Sequence, residues 1–197
     1  MDNIDFGDYL ISNIDIDAQA ISLLPKSCNS IVLKKGDFAL REGESCKHTF
    51  FIQQGLLKQY TLDNKGKEHI LMFAPENWFV TNIESVHFNQ PSNYFIEAVE
   101  DTRILLIDEK LIVDLSQHNR AFHEFNNKLL HSHIISMQKR VTQLLSSSAE
   151  ERYLDFIQSC PDMLMRIPQT MIASYLGITP ESLSRVRNGL AKRSITA

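Results

Sequence analysis

Between Thr179 and Asn188 the chain sets hydrogen-bonding side chains, Thr179, Glu181, Ser182, Ser184, Arg185 and Asn188, around the apolar Leu183, Val186 and the following Leu190. On a helix the apolar residues share an inward face, and Glu181 and Arg185, at i and i+4, share the outward one. A guanidinium so placed can donate two hydrogen bonds to guanine O6 and N7, while a carboxylate accepts from a cytosine amino group. Hydroxyls and amides around them suit base edges and phosphates. The residues just upstream supply the support this chemistry needs. A helix from Gln169 places Ile172, Ala173 and Leu176 on one face, and Gly177 supplies a left-handed turn. Thr179 is a helix cap, Pro180 fits the first helical position, and Ala173 is small where two helices approach. The spacing predicts a helix-turn-helix whose second helix reads double-stranded DNA through those six polar residues.

The charge agrees with that placement. Overall the 197 residues carry net −4, but residues 1–117 hold 10 bases and 18 acids while 118–197 hold 10 bases and 6 acids. The last 32 residues carry Arg166, Arg185, Arg187, Lys192 and Arg193 against Glu181 alone. A cationic terminal segment behind an acidic body suits a polyanionic partner.

The elements that must position this segment follow from periodicity. Turn formers recur at Gly36, Gly43, Gly55 and Asp63-Asn64-Lys65-Gly66, the glycines at intervals of 7, 12 and 11 residues. Between and after them lie β-branched and aromatic stretches at Ser30–Leu33, Thr49–Gln53, Leu56–Leu62, His69–Ala74, Tyr94–Val99 and Thr102–Ile107. Such spacing predicts a small antiparallel roll or barrel. Asp15–Leu24, stopped by Pro25, predicts one or two short lead-in helices. After Asp108 the period changes: Leu130, Ile134, Met137, Val141 and Leu144 advance by 4, 3, 4 and 3. That is a coiled-coil seam on a helix expected over Gln117–Leu145, on the order of 40 Å long. Such a seam either packs on its own domain or pairs in parallel with a second chain; the length favours a homodimer. Ser146-Ser147-Ser148 is the expected hinge, with Ser148 and Glu151 forming a capping box for a helix over Ala149–Ser159.

Taken together, the roll, the long helix and the Glu181-Ser182-Leu183-Ser184-Arg185 segment resemble the Crp–Fnr type of bacterial transcription regulator. Leu33-Lys34-Lys35-Gly36-Asp37, Arg41-Glu42-Gly43-Glu44 and Ile96-Glu97-Ala98-Val99-Glu100-Asp101 carry the resemblance through the roll. It implies an α+β fold with three parts: a cyclic-nucleotide-binding-like β-roll effector domain over 1–116, a dimerisation helix and hinge over 117–146, and an all-α helix-turn-helix domain over 147–197. The family's recognition-helix Glu and Arg fall on Glu181 and Arg185. Many members add a β wing; seven residues past Leu190 leave no room for one, so a domain without a wing is expected.

The effector region departs from the family. Cyclic-nucleotide binders of this type carry Phe-Gly-Glu and a later Arg-Ser or Arg-Thr around the cyclic phosphate, where this chain has Phe79-Val80-Thr81 and Ser92-Asn93. From Glu68 to Thr102 there is no Lys or Arg but six acids. An anionic phosphate buried there would lack a cation, so cyclic AMP is not expected to bind. Trp78, Phe79, Thr81, Ser92 and Asn93 form the candidate effector pocket. The nearby aromatics, Phe73, Phe88, Tyr94 and Phe95 among them, either line a site for an uncharged small molecule or simply form the core of the roll.

Other chemistry is disfavoured. His131 and His133 are two apart on a helix and point to different faces, so no metal pair is expected. Three scattered cysteines, Cys28, Cys46 and Cys160, are expected to be free, and they are too few for the four thiolates of an iron–sulfur cluster. No nucleophile elbow, phosphate loop, zinc-protease motif or carboxylate pair points to an enzyme, and no cofactor is implied. No run is long enough to span a membrane and no export signal opens the chain, so a cytoplasmic protein is expected. The competing reading is a small-molecule sensor or scaffold whose terminal helices contact protein; the polar outward face of Glu181, Ser184 and Arg185 argues against it.

Overall fold

A computed structural model describes residues 6–14 and 28–195, with the side chains of 194 and 195 left aside. The helix expected over Asp15–Leu24 lies outside the described residues. Along the chain run α1 (Phe6–Asn13), β1 (Ser30–Leu33), β2 (Phe38–Leu40), β3 (His48–Gln54), β4 (Leu57–Leu62), β5 (Glu68–Ala74), β6 (Phe79–Val80), α2 (Ile83–Phe88), β7 (Phe95–Ala98) and β8 (Thr102–Asp108). They are followed by α3 (Glu109–His118), α4 (Arg120–Ser146), α5 (Ala149–Ser159), α6 (Met163–Arg166), α7 (Gln169–Tyr175) and α8 (Pro180–Ile195).

The strands form two four-stranded sheets ordered β1-β8-β3-β6 and β2-β7-β4-β5. Pairing is antiparallel where register is defined, for example Phe51 opposite Leu105 and Gln59 opposite Ile96. All six expected strands form, within one or two residues of their expected ends. The short β2 and β6 were not foreseen, because two or three residues are too few to show a period; α1, ahead of the expected lead-in segment, and α2 were not foreseen either.

Contacts divide the chain into two compact units, Met1–Thr61 with Leu71–His131, and Leu62–Ile70 with Ser132–Ala197. The first has two apolar clusters. One fills the roll with Leu40, Ile52, Leu57, Ile96, Ala98 and Ile104 among its buried members. The other packs Phe6 and Leu10 of α1, Phe51, Leu105, and Leu115 and Phe122 from the helices after the roll. Because side chains alternate along a strand, neighbouring residues such as Ile104 and Leu105 serve different clusters.

The helix expected over Gln117–Leu145 forms as α4, starting three residues later than expected, and α3 ahead of it was not foreseen. The backbone at Asn119 is extended (φ −132°, ψ 111°), and it separates α3 from α4. Asn119 Oδ1 accepts from Phe122 N at 2.8 Å, capping the new helix, so the break has a side-chain cause. The 27 residues of α4 bury one side chain, Phe122. Its continuation is as expected: Ser148 and Glu151 form the capping box that opens α5.

Candidate nucleic-acid interface and effector region

In the second unit, α5 to α8 enclose Tyr153, Phe156, Met163, Ile167, Ile172, Ala173, Leu176 and Leu183. The turn between α7 and α8 depends on Gly177, which has φ +66° and whose position would put a Cβ 3.1 Å from Leu144 Cδ2. The left-handed backbone selects glycine, whereas the Leu144 methyl, on an exposed side chain, can give way. Ile178 N donates to Ala173 O at 3.0 Å and closes the turn. Thr179 caps α8: its Oγ1 accepts from Ser182 N at 3.2 Å, and its carbonyl accepts from Leu183 N at 3.0 Å.

With Leu183 buried, Glu181, Ser184, Arg185 and Asn188 are exposed on α8, and Ser182 is half-buried against its cap. The carboxyl of Glu181 is held below its ordinary range by its own backbone N–H, then by Thr179, with Arg185 adding attraction. Ser184, Arg185 and Asn188 make no hydrogen bond within the described residues, so their donors and acceptors are available to a ligand. Arg187 and Lys192 are also exposed, whereas Arg193 is engaged by Glu150 of α5. That ion pair was invisible in the sequence, where the partners are 43 positions apart.

Ser174, at the end of α7, also meets residues of the hairpin that belongs to this unit. Its Oγ donates to Glu68 O at 2.7 Å and accepts from Ile70 N at 3.1 Å. The guanidinium of Arg140 lies 3.8 Å over the ring of Tyr175 and donates to the carbonyls of Ile70, at 3.3 Å, and Tyr175. The hairpin and the motif are thus tied by polar contacts that no periodicity announces.

The seam residues of α4 lie in the open: Leu130 is 48% exposed, Ile134 54%, Val141 55% and Leu144 42%, with Met137 half-buried. Among the described residues these apolar groups are only partly covered.

The effector region differs. Asn82 Oδ1 accepts from Ser85 N at 2.9 Å to cap α2, and Asn82 Nδ2 donates to Ser92 Oγ at 2.7 Å. Ser92 Oγ donates to Tyr94 O at 2.9 Å and also accepts from Tyr94 N at 3.1 Å. Thr81 Oγ1 donates to His48 O at 3.0 Å, and Gln59 Nε2 donates to the Thr81 carbonyl at 3.4 Å. Cys46 joins the two sets, its N–H donating to Ser85 Oγ at 2.7 Å and its thiol lying 3.8 Å from Thr81 Oγ1, so Thr81 and Ser92 lie in one internal network. The other three residues of the candidate pocket stand apart from it. Trp78 is 47% exposed, Asn93 is exposed, and Phe79 packs on Phe51 (ring centroids 5.0 Å apart) and on Phe6 in the outer cluster.

The sequence window also concealed a buried cation. Lys58 on β4 is 2% exposed, 3.3 Å from Glu97, and 4.4 Å over the Tyr60 ring. Strand alternation places Lys58 and Tyr60 on the face of β4 opposite to Leu57 and Gln59, so the ammonium does not enter the roll's interior. Glu97 also accepts from Tyr60 Oη at 2.9 Å, and Tyr60 stacks on Phe95. The aromatics of β4 and β7 here are structural.

Residues 30–119 match the cyclic nucleotide-binding domain family. Over 174 residues, 83% of this chain, it is 25% identical to electron transport regulator A of Shewanella oneidensis and 26% identical to the fumarate and nitrate reduction regulatory protein of Yersinia pestis, covering 69% of each. The chain is similar to transcription regulators of the Crp–Fnr type. Solved structures share this fold: FixK2 of Bradyrhizobium japonicum has a TM-score of 0.74 at 16% identity, covering 85% of this chain and 86% of that one. A CooA variant of Carboxydothermus hydrogenoformans has a TM-score of 0.73 at 19% identity, covering 98% and 87%. This similarity supports a DNA-binding transcription regulator. Among the described residues no helix is long and apolar enough to cross a membrane, and no three metal-ligating side chains stand together.

Proposed function

We propose that this regulator is a cytoplasmic homodimer that reads an inverted-repeat DNA site with α8. The single observation that carries the reading is the exposed Glu181, Ser184, Arg185 and Asn188 row, fixed from behind by buried Leu183 and started by the Thr179 cap. Arg185 donates to a guanine, Glu181 accepts from a cytosine and steadies Arg185, and Thr179 and Ser182 contact phosphate or base edges. Dimerisation through Leu130, Ile134, Met137, Val141 and Leu144 covers the apolar seam and sets two half-sites about 34 Å apart. In this division of labour residues 1–116 form the effector domain, 117–146 the dimer helix and hinge, and 147–197 the DNA-binding domain.

Its effector, if one acts here, is an uncharged small molecule rather than cyclic AMP. What supports this is that Gln59, Thr81, Asn82, Ser85 and Ser92, the polar groups in and around the network, are uncharged and hydrogen-bonded to the protein itself. A cyclic phosphate would bring a charge with no cation to meet it. No catalytic step enters this reading.

Selection of binding sites from random duplex DNA tests it. Wild type is expected to return a palindrome, and Arg185→Ala to lose roughly 1–3 kcal/mol of affinity with relaxed preference at one base pair per half-site. The same motif from both proteins, or no palindrome from either, means that α8 does not read the bases.

A further inference from the structure

Beneath the helix-turn-helix, the second unit encloses a cavity of about 40 Å³ between α4, α5 and the end of α7. Its charge is one-sided. Arg140 and Arg152 both line it, and the carboxylate there, Asp155, is already engaged by Lys139 at 2.7 Å. Arg152 Nη1 donates to the carbonyls of Gln143, at 3.3 Å, and Ser147, at 2.7 Å, at the end of α4. Its Nε is buried with no acceptor among the described residues. A guanidinium N–H left so costs the desolvation of a charged donor, and the second guanidinium adds repulsion. Burial pushes Arg140 below its ordinary range, and the nearby Arg152 lowers it further. Burial and the neighbouring Asp155 hold the Cys160 thiol on the same wall above its usual range, so it adds no negative charge.

We infer that this cavity is a binding site for a halide-sized monovalent anion, held between Arg152 Nε and the Arg140 guanidinium. The volume is about three times the ~10–15 Å³ that one water requires, which admits an ion of chloride size. Water could accept from Nε, but only an anion also offsets the two positive charges. The bound ion links α4 and α5 to α7, and so stiffens the platform on which α8 stands. This inference is independent of which DNA site is read and of whether the seam dimerises.

Two measurements on the full chain decide it. In thermal melts at constant ionic strength, replacing gluconate by chloride is expected to raise the melting temperature saturably, by about 3 °C. Arg152→Lys, which keeps a charge but lacks the Nε donor, should lose most of that rise. Equal melting temperatures in both salts, or an undiminished rise in Arg152→Lys, overturn the site. Crystals of the wild type grown in bromide provide the readout that does not depend on a variant folding. An anomalous peak beside Arg152 Nε supports the inference, and its absence overturns it whatever the melts give.

Discussion

Two helices of this protein open on polar caps and carry polar side chains, yet they do opposite things. In α2, Asn82 caps the helix and hands its amide to Ser92, whose hydroxyl serves the backbone of Tyr94. In α8, Thr179 caps the helix and the polar groups beyond it, Ser184, Arg185 and Asn188, are exposed and spent on nothing internal. Residue type alone does not separate a binding face from structural glue. What separates them is whether the hydrogen-bonding capacity is already used inside the protein, since breaking a satisfied buried group costs more than an exposed contact returns.

The harshest test removes what keeps the outward faces outward. Ile134→Lys with Met137→Lys sets like charges across the proposed twofold axis, and sedimentation is expected to find monomers with operator binding lost. An unchanged dimer would show that the exposed seam is not the interface. Leu183→Ala withdraws the anchor behind α8, a side chain 1% exposed, and is expected to lower stability by about 2–5 kcal/mol in urea unfolding, with DNA binding weakened for every sequence. Arg185→Ala, by contrast, should leave stability unchanged.

Ser92→Ala probes the other side of the comparison. It strands Asn82 Nδ2 and deprives Tyr94 of its side-chain partner, so unfolding free energy should fall by roughly 1–3 kcal/mol. Calorimetry with cyclic AMP should give no saturable heat for wild type or variant. A micromolar constant would mean that the network opens to admit a ligand.

The smallest effect lies at the hairpin tip. There His69, then the backbone N–H groups of Lys67 and Lys65, lower the Asp63 carboxyl to about 2. Because its folded value is depressed, the stabilisation is present above the ordinary carboxylate range and is lost as pH falls through about 2. Carbon-detected titration should place Asp63 near that value. Asp63→Asn should flatten the acid-side slope of stability between about pH 4 and 2 by removing that small contribution at neutral pH, the two proteins converging below about 2.

The sequence by itself determined the helix-turn-helix, the six longer strands and the capping box at Ser148. Each rests on chemistry within a few positions: Gly177 turns because the left-handed region favours it, Thr179 caps its own next turn, and apolar residues repeat at a helical or strand period. Even the start of α4, three residues later than expected, was local, set by the capping side chain of Asn119. Only the tertiary structure decided which polar groups are spent. Lys58 is buried yet turned away from the interior, Phe79 packs on the outer cluster while Thr81 joins the inner network, and Ser174 meets Glu68 across 106 positions. Those outcomes depend on register and packing, where a shift of one residue moves a side chain to the opposite face of its sheet, and nothing in the neighbouring sequence records which face its partner will occupy.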